Sequence, residues 1–330
     1  MKEEFDENGI RKIYLETSDV LPSGKVEERE GDYLEEEEWI DTLIEEDADV
    51  YKPNGEPLAA FRKNVFSNEE CQGAYEGLKG AAQTSENRGA AAGPLKDEDL
   101  TPWVKERMIE RTKNRVKYKT EDGNVQSSSK RVHSGIAGFY DRSSRSPYCR
   151  TTRYTRKNMD QFKKALPFIQ KVSNYFKGLV PDRWRIQKQI VENTPEDFVI
   201  PETVFTTITV NKNFRTGVHK DAGDLEEGFG NLTVLEKGDY EGGYTIFPQF
   251  KIGVDCREGD FLGMDVHEWH CNTEFYNQSD DWERVSLVCY YRTGMNECKS
   301  LEREQERKKK FEENEDTNQK NNIFEEIGMK

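Results

Sequence analysis

The sequence predicts a β-rich α+β fold, a sandwich or barrel of short strands with flanking helices. Three observations carry this expectation. Between Thr203 and Tyr291, short β-branched and aromatic runs alternate with Gly, Asp and Asn clusters. Just before that region, Phe162, Leu166, Ile169, Val172 and Phe176 recur at three- and four-residue steps, the stripe of an amphipathic helix over 159–180. Charge dominates both ends of the chain. With 34% of residues hydrophobic and 34% charged, the packed core is expected to be smaller than the chain.

Taken in order, residues 1–66 read as an acidic N-terminal arm. Its first 50 residues hold 19 acidic and 5 basic side chains, which accounts for nearly all of the net charge of −15. Glu35 to Glu38 form an unbroken run, and some helix is expected around Tyr33 to Ile44. A solvated arm is the plain reading; an arm that mimics DNA or docks a basic partner is the sharper one. The rest of the chain is close to neutral, so the acidity does not exclude a nucleic-acid partner.

Residues 67–158 read as a helical and irregular segment. Gly-Ala-Ala and Gly-Ala-Ala-Ala-Gly-Pro stretches make 68–100 irregular, 101–118 is a modest helix candidate, and 119–131 reads as a loop. Over 130–157, Lys130, Arg131, Arg142, Arg145, Arg150, Arg153, Arg156 and Lys157 stand with Asp141 as the one acid. Phe139, Tyr140, Tyr148 and Tyr154 are interleaved among them. Basic groups neutralise phosphates and rings stack on bases, so this composition suits a nucleic-acid strand. A basic loop that pairs with the acidic arm also fits.

The core is expected over 159–298, with the helix leading it. Pro167 falls inside the apolar stripe and should kink the helix or mark a restart. Strand candidates are Thr203–Val210, Asn231–Glu236, Tyr244–Phe247, Lys251–Val254, Phe261–Val266 and Val285–Tyr291. Residues 299–330 form a charged, helix-prone tail. The six cysteines show no C-x-x-C spacing, so free thiols in a reducing compartment are expected, without a disulfide framework. No apolar run approaches the roughly 18 residues of a membrane span. Met1-Lys2-Glu3-Glu4 is not an apolar leader, so an intracellular, non-secreted protein without membrane attachment is expected, in cytoplasm, nucleus or a virus-infected cell. Nothing points to a specific protein partner.

Chemistry concentrates in the strand-rich region, which holds three of the four histidines: His219, His267 and His270. In His219-Lys220-Asp221, an extended backbone places imidazole and carboxylate on one face. A second histidine, His267 or His270, would complete a two-His, one-carboxylate triad. That triad suits non-haem Fe(II), because it leaves three adjacent positions open. Arg284 opens the last strand and can bind a carboxylate bidentately, with Ser286 on the same face.

This order and spacing resemble the Fe(II)/2-oxoglutarate-dependent dioxygenase superfamily over about residues 200–293. The resemblance implies a double-stranded β-helix, a jelly-roll or cupin-like core. It extends to the TET/JBP group, nucleobase hydroxylases that oxidise the 5-methyl group of thymine or 5-methylcytosine. The matching stretches run Val210 to Asp221, Gly228-Phe229-Gly230, Gly242-Gly243-Tyr244-Thr245-Ile246-Phe247-Pro248, Met264 to Asn272, and the closing strand. By position, the resemblance implies His219, Asp221 and His270 as iron ligands, His270 fitting the layout better than His267. It implies Arg284 on the 2-oxoglutarate carboxylate, with Ser286, Asn211 and Arg215 as further co-substrate contacts. It also implies O2 as the second co-substrate and ascorbate as a candidate reductant. Substrate contacts are expected from Arg142, Arg145, Arg150, Arg153, Tyr148, Asn213 and Asp224, with DNA as partner. Cys271 stands where related sequences often have glycine. An oxygenase acting on protein side chains or small molecules, and a non-catalytic ligand-binding β-helix, are the rival readings.

Overall fold

The computed structural model describes residues 1–326, so 327–330 of the expected tail lie outside the described residues. Residues 1–62 do not form a solvated arm. They are β1 (Lys2–Phe5), β2 (Arg11–Tyr14), β3 (Thr42–Ile44), β4 (Ala48–Tyr51) and β5 (Pro57–Arg62). Four of these five strands extend the main sheet in the order β1-β2-β4-β5. The reason lies in what sits between the acids. Ile13, Leu15, Ile44, Val50, Leu58 and Phe61 are buried in one apolar cluster, and burying such side chains outweighs the tendency of their charged neighbours to stay solvated. Some acids are also matched, as where Arg62 Nη1 meets Asp49 Oδ1 at 2.8 Å.

Two helices cover one face of the main sheet. α1 (Asn68–Leu78) starts at a capping box made by Ser67 and Glu70. After it come β6 (Val132–Tyr140), α2 (Met159–Leu179) and α3 (Pro181–Glu192). The α2 stripe is as expected: Phe162, Ile169, Val172 and Phe176 are buried and Leu166 packs beside them. Pro167 does not end the helix, which runs through it as one element. α1 lies so close to α2 that a Cβ on Gly77 would come within 2.8 Å of the Gln161 carbonyl oxygen, so only glycine fits there.

The stretch from 108 to 128, expected as helix end and loop, is instead a three-stranded antiparallel sheet of Met108–Arg111, Val116–Lys119 and Val125–Ser128. Its second turn contains Asp122-Gly123, with Gly123 at φ +83°, a hairpin signal that the polar composition hid.

The core strands are β7 (Thr207–Lys212), β8 (Gly230–Lys237), β9 (Thr245–Phe247), β10 (Ile252–Val254), β11 (Phe261–Met264), β12 (Cys271–Asn272) and β13 (Glu283–Tyr290). The main sheet continues from β5 in the order β11-β8-β13-β7-β6. A smaller sheet has the order β12-β9-β10-β3. The chain thus passes repeatedly between two sheets, which is a double-stranded β-helix. Period-two alternation then sorts the side chains. On β13, Val285, Leu287 and Cys289 face the helices, while Arg284, Ser286, Val288 and Tyr290 face the space between the sheets. On β7, Ile208 and Val210 face the helices and Thr209 and Asn211 the interior.

α4 (Leu301–Glu326) closes the described chain. It is tied down by Glu304, buried to 1% exposure, which accepts hydrogen bonds from Arg142 and from the backbone N–H groups of Cys149 and Lys299, the latter two at 2.9 Å. Beside it, Cys149 and Cys298 form a disulfide, contrary to the expectation of six free thiols. The two cysteines are 149 residues apart, and only the fold brings them together. The other four cysteines are free and buried. Among the described residues no helix is long and apolar enough to cross a membrane.

Candidate active site

His219, Asp221 and His270 converge at one end of the space between the sheets, with one ligand atom from each within 4.8 Å of the others. The backbone sets this up. His219 and His270 face each other across an antiparallel bridge, each N–H donating to the other's carbonyl at 3.0 and 2.9 Å. Asp221 follows two residues after His219, with Oδ1 at 3.3 Å from His219 Nε2 and 4.0 Å from His270 Nε2. The outer face of each imidazole is also fixed. Nδ1 of His219 lies 2.8 Å from the Gly217 carbonyl and Nδ1 of His270 lies 3.0 Å from the Glu268 carbonyl. A carbonyl only accepts, so each Nδ1 carries the proton and each Nε2 turns a lone pair inward.

Electrostatics agree with a cation-binding set. Burial disfavours the charged forms of both His219 and Asp221, but their hydrogen bond outweighs it, raising His219 and, with the charge of His270, holding the Asp221 carboxyl down at about 2; a cation taken up by the set would replace that shared proton and leave the His219 Nε2 lone pair as its donor. Burial, helped by the charge of His219, pushes His270 down to about 4, which favours the neutral, ligating imidazole. Two imidazole nitrogens and one carboxylate oxygen, without a thiolate, make a donor set that fits Fe(II). His267 is turned away, its Nε2 3.2 Å from the Leu225 carbonyl.

The triad opens into a cavity of about 150 Å³. Arg284, Ser286, Asn211 and Asp224 line it, as the sequence suggested. Arg284 is 5% exposed, no carboxylate lies within 4.0 Å of it among the described residues, and its buried Nε has no hydrogen-bond partner. A buried guanidinium without an anion is costly, so this position fits an anionic group of a ligand. Asp224 is its counterpart in sign: Oδ2 is buried without a partner, and burial together with the Asp221 charge pushes its carboxyl well up. Cys271 also lines the cavity, and burial pushes its thiol up to about 12, so it is held as an unreactive thiol.

Other expected contacts lie elsewhere. Arg215 is outside the cavity, with its Nη groups on Glu274, Glu35 and the Leu34 carbonyl at 2.8 to 3.0 Å. It serves to hold the N-terminal region against the core. Asn213 caps the start of β13, its Oδ1 accepting from the Arg284 N–H at 2.7 Å. Arg142 is taken up by Glu304, and Arg150 Nη1 donates to the carbonyls of Asp141, Ser146 and Tyr148. Tyr148 packs near Phe311 of α4 and the Arg150 guanidinium. Arg145 and Arg153 are exposed along an open groove.

Several polar and charged cavity residues were not foreseen. Thr209, Tyr290 and Arg292 follow from alternation along β7 and β13 once the inward face is known. Arg88 comes from the Gly- and Ala-rich stretch, where no periodicity could point to it. Its Nε is buried and unpartnered, and burial disfavours its charge.

The family model described as the oxygenase domain of the 2OGFeDO superfamily, Tet_JBP, matches residues 135–293. That segment is a TET/JBP oxygenase domain. The match starts earlier than the motifs alone indicated, at β6, and takes in α2 and the whole β-helix. Among similar proteins, the bifunctional helicase and thymine dioxygenase JBP2 of Trypanosoma brucei brucei is 29% identical over 279 residues, which is 83% of this chain and 22% of that protein. Thymine dioxygenase JBP1-B of Trypanosoma cruzi is 38% identical over 169 residues, 50% of this chain and 20% of that protein. The chain therefore spans about a fifth of the length of these relatives. A solved structure of NgTET1 in complex with 5mC DNA aligns over 79% of this chain and 85% of its own at a TM-score of 0.49 and 12% identity. The TET/JBP domain carries its His-Asp-His set and Arg284 within the matched segment, whereas Arg88 lies outside it.

Proposed function

We propose that the TET/JBP domain of this chain is an Fe(II)- and 2-oxoglutarate-dependent dioxygenase that hydroxylates the 5-methyl group of a pyrimidine in DNA, with thymine the favoured base. The observation that carries the reading is one cavity holding both a two-His, one-carboxylate set and an unpaired buried arginine. The relatives named thymine dioxygenases support the choice of base.

In this reading His219 Nε2, His270 Nε2 and an Asp221 carboxylate oxygen hold Fe(II), and Arg284, with Ser286, receives the distal carboxylate of 2-oxoglutarate. Bound there, iron couples oxidation of a methyl C–H to decarboxylation of 2-oxoglutarate by O2, giving hydroxymethyl product, succinate and CO2. The protein's own part is positional. The two Nδ1–H donors fix the imidazole planes before metal arrives, so no orientation has to be gained on binding. Val288, Leu232 and Met264 give the cavity an apolar wall that limits water. A pyrimidine in a duplex cannot reach this depth while stacked, so the target nucleotide must be extruded into the cavity.

The deciding experiment is nucleoside mass spectrometry after incubation of the protein with Fe(II), 2-oxoglutarate and ascorbate on DNA containing thymine or 5-methylcytosine. A 5-hydroxymethyl product from thymine is expected. Succinate without a modified base would move the substrate to proteins or small molecules. Asp221→Ala should reduce succinate and product together to background; retained turnover would refute the assigned ligand set.

A further inference from the structure

An open groove runs between the Gly80–Asn87 segment, β6 and residues 143–158, which form a loop followed by the short helix Arg153–Lys157. Four cations line it, Arg145, Arg150, Arg153 and Lys157, and no carboxylate does. In a chain of net charge −15 this is an unusual enclave of one sign. Arg150 is held by backbone carbonyls, but Arg145, Arg153 and Lys157 are exposed and have no ion-pair partner among the described residues. The groove adjoins the cavity at two points. Asn87 lines the groove and its neighbour Arg88 lines the cavity. The ring of Tyr140 lines the groove, and its centroid lies 4.4 Å from the guanidinium carbon of Arg292, which lines the cavity.

We propose that this groove is the track for the phosphate backbone of the substrate strand, with Arg145, Arg153 and Lys157 neutralising phosphates beside the extruded nucleotide. The proposal rests on the reading of the cavity as a base-oxidising site. Exposed unpaired cations in a concave surface attract a polyanion without reading its sequence. Arg142, equally basic in the sequence, is paired with Glu304, and Arg150 lines the groove with Nη1 committed to three backbone carbonyls, so the exposed cations Arg145, Arg153 and Lys157 carry the proposal.

The test compares the 330-residue chain with its triple variant R145A/R153A/K157A and with a charge-matched control, K105A/K237A/K310A, drawn from exposed lysines outside the groove. DNA binding is followed by fluorescence anisotropy across roughly 50 to 300 mM salt, with thymine oxidation and DNA-independent succinate formation measured in parallel. The triple variant is expected to bind at least ~10-fold more weakly and to lose about 2 to 3 from the slope of log affinity against log salt. Its DNA-independent succinate formation should stay at the wild-type level, and the control should lose less than about 1 in slope. An unchanged slope in the triple variant, with wild-type protein oxidising DNA, overturns the groove and leaves the cavity reading intact. An equal loss in the control overturns it too, as a net-charge effect. Wild-type protein that binds DNA in the groove but oxidises no base would sink the cavity reading instead.

Discussion

The two ends of β13 each carry an arginine into the same cavity, and they are built differently. Arg292, just past the strand, has its own anion: Nε lies 2.6 Å from Asp141 Oδ1, and the Tyr140 ring covers its face. Arg284, at the start of the strand, has no carboxylate partner among the described residues and a buried, unsatisfied Nε. A cation that brings its own anion is part of the fold; a buried cation without one is reserved for a ligand. The pair therefore separates structure from function within one strand, although both residues are arginines on the same face.

The largest expected effect comes from breaking this contrast directly. Arg284→Ala should raise the KM for 2-oxoglutarate roughly 100-fold, the equivalent of about 3 kcal/mol of charge-assisted hydrogen bonding, with little change in melting temperature. Arg292→Ala should do the reverse, costing about 2 kcal/mol of stability by stranding Asp141 while the KM stays within about 2-fold. Titration of 2-oxoglutarate alongside thermal melts separates the two, and a KM effect of equal size in both variants would erase the distinction.

A smaller effect is expected at Arg142, whose partner Glu304 is buried. Glu304→Gln weakens the anchor of α4, because Arg142 then lacks an ionised acceptor; the loss should be about 1 to 2 kcal/mol. Burial raises the pKa of Glu304, but the Arg142 hydrogen bond and the Cys149 and Lys299 N–H groups outweigh it and hold the carboxyl below its ordinary 4.5. Its stabilisation is therefore fully present above pH 4.5 and is lost as pH falls through the lower folded value. Below pH 4.5 the wild type should lose stability more steeply than Glu304→Gln, so that the two curves converge; parallel curves in acid melts would contradict the assignment.

Arg215 gives the smallest effect on chemistry. Its donors hold Glu274, Glu35 and the Leu34 carbonyl, so Arg215→Ala should leave the KM for 2-oxoglutarate within about 2-fold while loosening the N-terminal region to proteolysis. A large KM effect would put Arg215 back beside the co-substrate.

These contrasts also show what the sequence made legible. The β-helix and its inward face were readable, because alternation on β7 and β13 and the His-x-Asp spacing are local patterns. The stripe of α2 was readable for the same reason, and Pro167 misled only because one lost backbone hydrogen bond is tolerable within the 21 residues of a packed helix. What the sequence hid depends on distant partners. Nothing local tells that Arg142 and Arg292 are paired within the fold while Arg145 and Arg284 are left free, since Glu304 and Asp141 lie 162 and 151 residues away from their arginines. The acidic first fifty residues hid for another reason: charge counts weigh every acid, while burial is decided by the few apolar residues between them, such as Ile13, Val50 and Phe61.

The placement of β1 to β5 has a consequence for self-association. β11 pairs with β8 on one side and with β5 on the other, and all four of its residues are buried. Without the N-terminal strands, the flank of β11 that now meets β5 would be a bare row of N–H and C=O groups beside an apolar surface, a template for intermolecular pairing. The extension moves the sheet's open margin outward to Lys2–Phe5, where all four residues are exposed and three of them, Lys2, Glu3 and Glu4, are charged. Two of the acids that made this region look like a solvated arm, Glu3 and Glu4, thus sit on the open margin, where charge disfavours edge-to-edge pairing.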